Sequence, residues 1–506
     1  MSQMSKGRVS ERLSHLKSAA ADGFKVSILG AGESGIGAAL LAQAQGADVF
    51  VSDFGSIGEA QIRELEAAGI PYEQGGHDEE RILNSDIVIK SPGIPDTAPI
   101  IKRILELQDE DFRRWMPTSE MTSPSKRKPE LIGEIEYAFR QMKKGRIIAI
   151  TGSNGKTTTT LLIQHFLQTK KLDSRAGGNL GTSFARLLLE PATEETIYVL
   201  EVSSFQLDSI EDFRAEQAIL LNITPDHLDR YDYQLDKYID SKLRIFENQQ
   251  AEDLAYYFST DENIATGMGR VEVIAQQKPI PPSAEVQHGE ISESNVDSDP
   301  RKSKNEIHYA GETYTLRTTQ LRGHHNKLNA TFAIAVATDL GLTPEDIQKG
   351  LDTFQPAPHR MEVIGTHRNI CWINDSKATN VDATRYALDA METPVIWIAG
   401  GTDKGNVYEP LKPLARQRVR ALVCMGKDNG KLNAAFAEDI TEIVETASAA
   451  EAVAEANRLA QAGDTVLLSP ACASFDLFRN YIDRGDQFRE EVLKIMAKPE
   501  SKNLKH

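Results

Sequence analysis

Lys156 and Thr157 close the run Ile147-Ile148-Ala149-Ile150-Thr151-Gly152-Ser153-Asn154-Gly155-Lys156-Thr157-Thr158, and these residue types at this spacing suit phosphate chemistry. Four apolar residues predict a strand, Gly152 to Gly155 a tight turn, and the threonine run after Lys156 the start of a helix. In such a turn successive backbone N–H groups face one point, the helix dipole adds partial positive charge, a lysine reaches terminal phosphate oxygens, and a Thr hydroxyl can ligate Mg²⁺. The loop is a shortened variant of the usual pattern, because the residue five before Gly155 is Ile150 and the nearest upstream glycine is Gly152. A Gly-Lys-Thr tripeptide alone is often an incidental helix start; the strand before it and the hydroxyl-rich run after it favour a nucleotide triphosphate site at Gly152, Ser153, Asn154, Gly155, Lys156, Thr157 and Thr158.

Further chemistry gathers at other strand ends. Glu201 ends the apolar run Thr196 to Leu200 and could hold Mg²⁺ near the loop, although a strand-end Glu is often only a partner for a helix terminus. His227 follows the run Gln217 to Ile223 within Asn222-Ile223-Thr224-Pro225-Asp226-His227, where a neutral imidazole can be a metal ligand or simply a capping side chain. Lys242 falls in the helical pattern Tyr238 to Phe246, where an ordinary lysine is solvated. Later, Asn374-Asp375-Ser376-Lys377-Ala378-Thr379-Asn380, Gly400-Gly401-Thr402-Asp403-Lys404-Gly405 and Ser469-Pro470-Ala471-Cys472-Ala473-Ser474 each follow a strand pattern. Their lysines are candidates for anionic ligand groups, with solvated turn lysines as the alternative.

These residues need sheets to position them. A polar leader, residues 1–22, precedes Phe24 to Leu29, then Gly30-Ala31-Gly32-Glu33-Ser34-Gly35 and an Ala/Leu-rich helix, a Rossmann-like opening whose second strand, Asp48 to Ser52, runs to Asp53. A GxGxxG pattern is a weak signal by itself. Asp86 to Lys90 runs into Ser91-Pro92-Gly93, and Leu131 to Lys143 reads as a connecting helix. Asn326 to Leu340 reads as an Ala-rich helix, and the polar stretches 117–128 and 281–305 as exposed loops. The alternation predicts an α/β protein of three domains: a Rossmann-like domain over 23–145, a central P-loop ATPase-like domain with a mostly parallel sheet over 146–355, and a C-terminal Rossmann-like domain over 356–496. Ligands of open α/β sheets lie beyond the carboxyl ends of the strands.

Composition narrows the function classes. At 506 residues the chain is too long for one core and predicts about three domains of ~150 residues. A formal net charge of −17 argues against nucleic-acid binding, which is driven by surplus Lys and Arg. No apolar run reaches the roughly 18 residues needed to span a bilayer, and the leader lacks the apolar centre of a signal peptide, so a cytoplasmic protein is expected. Cys371, Cys424 and Cys472 have no zinc-like spacing and are expected to be buried free thiols.

Taken together, TGSNGKTTT, EVSSFQL, NITPDHLDRY, the His325-Asn326 pair, PHRMEV, WINDSKATN, GGTDKG and LLSPACASFD resemble, in order and over nearly the whole chain, the Mur ligases, ATP-dependent amino-acid-adding enzymes of bacterial cell-wall precursor synthesis. Within that family NDSKATN and SSFQL are the discriminating strings, and the resemblance they carry implies addition of D-glutamate to UDP-N-acetylmuramoyl-L-alanine. The resemblance implies that Lys156 and Thr157 bind ATP phosphates and Mg²⁺, that Thr157, Glu201, His227 and Lys242 serve the metal, and that Lys242 does so as a carbamate. A carbamate turns a repelling ammonium into two anionic oxygens, the hard ligands Mg²⁺ prefers. It further implies Asn329, Arg360 and Asp375 around the nucleotide, Lys377, Thr379, Lys404, Ser474 and Tyr481 around D-glutamate, and Gly32, Ser34, Asp53, Ser91 and Asn179 around the UDP-sugar. Tyr481 stands where a phenylalanine is expected. A monomer acting on small molecules is implied. Other readings are another Mur ligase, a folylpolyglutamate synthase-like amide ligase, an NAD-dependent oxidoreductase resting on the first glycine loop alone, and a nucleotide-switched binding protein.

Overall fold

The computed structural model describes residues 23–108, 128–281, 306–316, 321, 323–403 and 405–497. It is an α/β protein whose described residues fall in two compact units, Met1–Pro282 with Ala335–Leu342, and Ser283–Ile334 with Thr343–His506.

The first unit holds two sheets. β1 (Lys25–Leu29), β2 (Asp48–Asp53), β3 (Tyr72–Gln74), β4 (Ile87–Lys90) and β5 (Glu130–Gly133) form a parallel sheet in the order β3-β2-β1-β4-β5. Its order reverses between β1 and β4, so the turns after these strands, with Gly30 to Ser34 on one and Ser91 on the other, flank the crevice where such sheets bind ligands. The expected helix over Leu131 to Lys143 is instead β5 followed by the helix Glu134–Gln141, because Leu131 and Ile132 pair with Val88 and Ile89 at the sheet edge and only then does the chain turn.

β6 (Arg146–Thr151), β7 (Ser174–Gly178), β8 (Ile197–Glu201), β9 (Gln217–Leu220), β10 (Leu254–Phe258) and β11 (Gln276–Ile280) form the second parallel sheet, ordered β11-β10-β9-β6-β8-β7. β6 lies between β8 and β9, which brings the ends of those strands to either side of the loop that follows it. β6 and β8 are buried along almost their whole length, as near-continuous apolar runs require when both faces of a parallel sheet are covered. One apolar core runs through both sheets, joining Val26, Ile36 and Ile135 to Phe184, Tyr198 and Leu200.

In the second unit a hairpin, β12 (Glu306–Tyr309) with β13 (Glu312–Thr315), precedes the helix Gly323–Asp339, which spans the helix expected from Asn326 and whose last residues belong to the first unit. β14 (Glu362–His367), β15 (Ile370–Asn374), β16 (Val395–Ala399), β17 (Val419–Met425), β18 (Glu442–Thr446) and β19 (Thr465–Leu468) form a sheet ordered β14-β15-β19-β16-β17-β18, parallel except at β14. Separate apolar clusters pack its two faces, around Trp397 on one and Trp372 on the other. The three cysteines are free, with Cys424 and Cys472 buried and Cys371 partly exposed. The expected loop over 281–305 and the stretch 117–128 fall almost wholly outside the described residues. Among the described residues, no helix is long and apolar enough to cross a membrane.

Candidate active site

The loop after β6 is built as its residues dictate. Gly152 and Gly155 take positive φ angles of 151° and 87°, and Gly155 caps the helix Lys156–Thr169, whose N-terminus therefore opens on the loop. Asn222, just past β9, staples the loop from the side: its carbonyl and side-chain oxygens accept from the Ser153 and Asn154 amides, each at 2.9 Å, and its amide donates to the Asn154 carbonyl at 3.0 Å. Ser153 donates its hydroxyl to the Thr224 carbonyl at 2.9 Å. The Lys156 ammonium arches over the turn and donates to the carbonyls of Gly152 at 2.7 Å and Ser153 at 2.9 Å. Thr158 is half-buried in the first turn of the helix.

Beside the loop, the Thr157 hydroxyl donates to Glu201 Oε2 at 2.6 Å, and Asn179 Nδ2 donates to Glu201 Oε1 at 2.9 Å. Thus one buried carboxylate connects the phosphate loop with the Gly-Gly-Asn turn after β7. Lys242, expected to be solvated on its helical pattern, is only 1% exposed; its nitrogen donates to the Gly152 carbonyl at 2.9 Å and sits 4.6 Å from the centre of the Tyr238 ring. Burial, reinforced by the charge of Lys156, holds its amine well below the ordinary lysine value. A neutral amine at such a site can add to carbon dioxide, forming an N–C bond and releasing a proton to leave an anionic carbamate. His227 does not join this group. It lies seven residues beyond the end of β9, at a positive φ of 52°, with its side chain 54% exposed, its ring 5.3 Å from that of Phe205 and Nε2 3.7 Å from Asp226.

The oxygen donors Thr157 and Glu201 fit a hard divalent cation, whereas Lys242 fits one only after its nitrogen has become a carbamate. Among the described residues no group of three or more His, Cys, Asp or Glu side chains forms a metal cluster by itself.

The N-terminal crevice has a different electrostatic character. Asp53 accepts from the Ala31 amide at 2.7 Å and the Gly55 amide at 2.8 Å, tying the end of β2 to the glycine turn. Ser91 donates its hydroxyl to the Gly30 carbonyl at 3.3 Å, Gly32 is exposed at the helix cap, and Ser34 is half-buried in the first helical turn. A Cβ at Gly35 would stand 1.9 Å from the Gly30 carbonyl oxygen, so this glycine serves close packing of the helix against the turn. Glu33 turns toward the second sheet, where its carboxylate accepts from Arg186 Nε at 2.7 Å and Nη2 at 3.1 Å and from the Ser183 amide at 3.1 Å. Arg186 also donates to Glu64 at 2.9 Å. Nearby, Glu134 is buried and accepts from the Ala185 amide at 2.6 Å; burial, with Glu33 close by, raises its carboxyl to about 7. These contacts hold the glycine turn against the segment that follows Asn179.

In the second unit, Asp375 accepts from Ser469 Oγ at 3.0 Å and the Met361 amide at 3.2 Å, and burial raises its carboxyl to about 7. Arg360 is half-buried and its charge acts on Asp375 in the opposite direction. Lys377 places its nitrogen 3.9 Å from the centre of the Tyr481 ring, and the Thr379 amide donates back to the Lys377 carbonyl at 2.8 Å. Ser474 is buried, and its carbonyl accepts from the Phe478 amide. Asn329 donates to Asn326 at 3.2 Å within the helix Gly323–Asp339. Lys404 lies outside the described residues.

Three residues that position these groups escape a reading of the sequence. Arg484 is 1% exposed and binds Ser376 Oγ at 2.9 Å, the Ser376 carbonyl at 2.8 Å, and the carbonyls of Cys472 at 3.2 Å and Gly400 at 3.4 Å, stitching together all three strand-end turns. Burial lowers its guanidinium to about 10. In the sequence it is one charge in an amphipathic helix, with nothing to mark it. Asn222 lies in a string already singled out. Arg186 has no signal of its own, since its partner Glu33 is 153 positions away.

Comparisons with known proteins agree with this architecture. The families described as MurD N-terminal domain, Mur ligase middle domain and Mur ligase, glutamate ligase domain match residues 25–99, 150–337 and 359–472. A UDP-N-acetylmuramoylalanine--D-glutamate ligase of Cytophaga hutchinsonii is 44% identical over 475 residues, covering 93% of this chain and 99% of the relative. One from Porphyromonas gingivalis is 44% identical over 481 residues, covering 93% and 99%. Among solved structures, the UDP-N-acetylmuramate-alanine ligase MurC of Thermotoga maritima aligns with a TM-score of 0.56 at 18% identity over 93% of this chain and 99% of that one. MurF ligase of Thermotoga maritima, solved in complex with ADP, aligns with a TM-score of 0.52 at 14% identity over 88% and 95%. The structural likenesses establish the fold, and the sequence relatives establish the kinship: this chain belongs to the Mur ligase family.

Proposed function

We propose that this chain is an ATP-dependent ligase that joins D-glutamate to UDP-N-acetylmuramoyl-L-alanine through an acyl phosphate, a step of cell-wall precursor synthesis. The observation that carries this reading is the hydrogen-bonded line Thr157–Glu201–Asn179, which couples the phosphate loop to the turn that would meet the muramoyl group. High identity to D-glutamate ligases over nearly the whole chain supports the choice of amino acid.

In the first step an oxygen of the substrate's terminal carboxylate attacks the γ-phosphorus of ATP, and the bond to ADP breaks. Lys156 and the loop amides bind the phosphates and offset charge as it shifts toward the leaving oxygen, a matter of positioning and electrostatics. Thr157 and Glu201, with Lys242 as a carbamate, would hold Mg²⁺, which when bound supplies further neutralisation of the phosphates. We assign His227 to the metal on the resemblance alone; its ring would have to turn from Phe205 to serve. In the second step the amine of D-glutamate attacks the acyl carbon, loses a proton, and phosphate departs. Lys377, Thr379, Lys404, Ser474 and Tyr481 would hold the amino acid, and Asn329, Arg360 and Asp375 the nucleotide. Arg484 acts through Ser376 and the Cys472 and Gly400 carbonyls as a positioning residue.

Gly32, Ser34, Asp53 and Ser91 would cradle UDP. We divide the chain into domains at 145/146 and 355/356, and read it on the resemblance as a monomer, and as cytoplasmic because both nucleotides belong to the cell interior. Phosphate release from ATP should depend strictly on both UDP-N-acetylmuramoyl-L-alanine and D-glutamate. Release with a folate in place of the nucleotide-sugar would favour a folylpolyglutamate synthase, release with neither a nucleotide-switched protein, and hydride transfer to NAD an oxidoreductase.

A further inference from the structure

The turn after β16 is held from outside as well as from the core. Asp403 Oδ1 accepts from the amides of Gly405 at 2.7 Å and Asn406 at 2.9 Å and from Lys431 Nζ at 3.0 Å, while Oδ2 accepts from the Tyr408 hydroxyl at 2.8 Å. Lys431 belongs to a different element, the helix Gly430–Phe436 that follows β17. Burial acts to raise the Asp403 carboxyl, but the bonds from Lys431, Tyr408 and the two amides outweigh it and hold the group below the ordinary aspartate value. The Tyr408 hydroxyl gives its one proton to Asp403, so the buried Cys472 thiol donates to it at 3.2 Å. Asn406 Nδ2 donates to the Ala471 carbonyl at 3.0 Å, and the Thr402 amide to the Ala473 carbonyl at 2.8 Å. The turns after β16 and β19 are thus laced together immediately before Ser474, so closely that a Cβ on Gly401 would stand 2.1 Å from the Ala473 carbonyl oxygen.

We propose that the Lys431–Asp403 ion pair is the outer clamp of the amino-acid site, with Lys431 as a positioning residue that acts through Asp403 on both turns, an inference that rests on the D-glutamate reading of those turns. Arg484 binds the Gly400 and Cys472 carbonyls from the buried side, whereas Lys431 leaves 54% of its side chain open to solvent. An exposed ion pair adds little to the stability of a fold. This one selects a shape instead, because Asp403 Oδ1 collects two amides and an ammonium only while the turn stays closed. Loosening it moves the groups that meet the amino acid and leaves the phosphate loop and the N-terminal crevice, which belong to the other unit, as they are.

Steady-state kinetics of the full chain test this with Lys431→Ala, Lys431→Arg, Asp403→Asn and the double variant Lys431→Ala/Asp403→Asn. Lys431→Ala should raise KM for D-glutamate by about 3- to 10-fold, with KM for ATP and for UDP-N-acetylmuramoyl-L-alanine within about two-fold of native. Lys431→Arg, which keeps a cationic donor facing the carboxylate, should restore the native KM. The double variant should be no worse than Asp403→Asn alone, since a residue that acts through Asp403 has nothing left to act on. Thermal unfolding of Lys431→Ala should match the native chain, as its side chain is more than half exposed. A native KM for D-glutamate in Lys431→Ala, or an equal rise in all three KM values, would overturn the clamp and leave the D-glutamate reading standing. Losses that add in the double variant would also overturn it, by showing that Lys431 meets the amino acid directly. Phosphate release by the native chain that does not depend on D-glutamate would overturn the reading of the site itself, and the clamp with it.

Discussion

Two glycine turns in the first unit share one backbone plan, strand, turn and helix, yet are filled with opposite charge. After β1, the first helical turn carries Glu33, held by Arg186 and Ser183; after β6, the corresponding place carries Lys156, with the buried amine of Lys242 beside it. The backbone N–H groups and helix dipole are common to both, so the side chains decide which ligand each accepts. At the second turn, the lysine side chain suits a triphosphate. At the first, the anionic side chain is drawn off toward the second sheet by Arg186 and Ser183, and Asp53 closes the rim of the crevice. Topology supplies a site, and chemistry must be read residue by residue.

The sharpest break of this contrast is Lys156→Ala. It should lower kcat/KM by about 10³-fold or more, since it removes charge stabilisation from the transferring group, while UDP affinity at the first turn stays within two-fold. Near-native turnover would contradict the assignment of the second turn. Next, Lys242→Ala should lose about 100-fold in rate, with partial recovery when short carboxylic acids replace the missing carbamate. A variant with full activity, together with intact mass showing no labile carboxyl on the native chain, would dismiss the carbamate.

Smaller effects test the clasp between the two sheets. Because Glu134 rises from 4.5 to about 7 on folding, its folded state prefers the proton. Below about pH 4.5 both states are protonated and the group is neutral to stability; as pH climbs from there through about 7 the unfolded chain gives up its proton first, and stability falls, with the full loss present above 7. Glu134→Gln should remove that slope and gain about 2 kcal/mol at pH 8, measured by denaturant unfolding across pH. A slope unchanged in the variant would refute the buried carboxyl as its source. Arg186→Ala should cost about 1 kcal/mol of stability and raise KM for the nucleotide-sugar a few-fold with KM for ATP unchanged; an equal rise in both would show that the clasp does not act on the first turn alone.

Much of the architecture was legible because buried parallel strands are apolar runs ending in turn residues, and the strands at β1, β2, β6, β8, β16 and β19 announce themselves this way. Edge strands were not. Tyr72–Gln74 and Ser174–Gly178 are short and polar or glycine-rich, and Glu130–Gly133 merges into a helix, so pairing partners far along the chain decide their conformation. In the site, Thr157 and Glu201 come together because the helix start that follows β6 and the end of β8 stand side by side where these strands pair in parallel. The burial of Lys242 could not be read from its helical pattern, because it depends on the Gly152 carbonyl 90 residues earlier. Arg484 was hidden for the same reason, its acceptors lying on turns that only the sheet brings together.

The central claim is that the carboxylate of UDP-N-acetylmuramoyl-L-alanine attacks phosphorus before any amide forms. Labelling that carboxylate with oxygen-18 and analysing the phosphate released on turnover with D-glutamate tests it directly. One labelled oxygen should appear in the phosphate for each amide made, because the attacking oxygen leaves with phosphorus. Phosphate that carries none of the label would contradict the account, since the second carboxylate oxygen stays in the amide under either outcome.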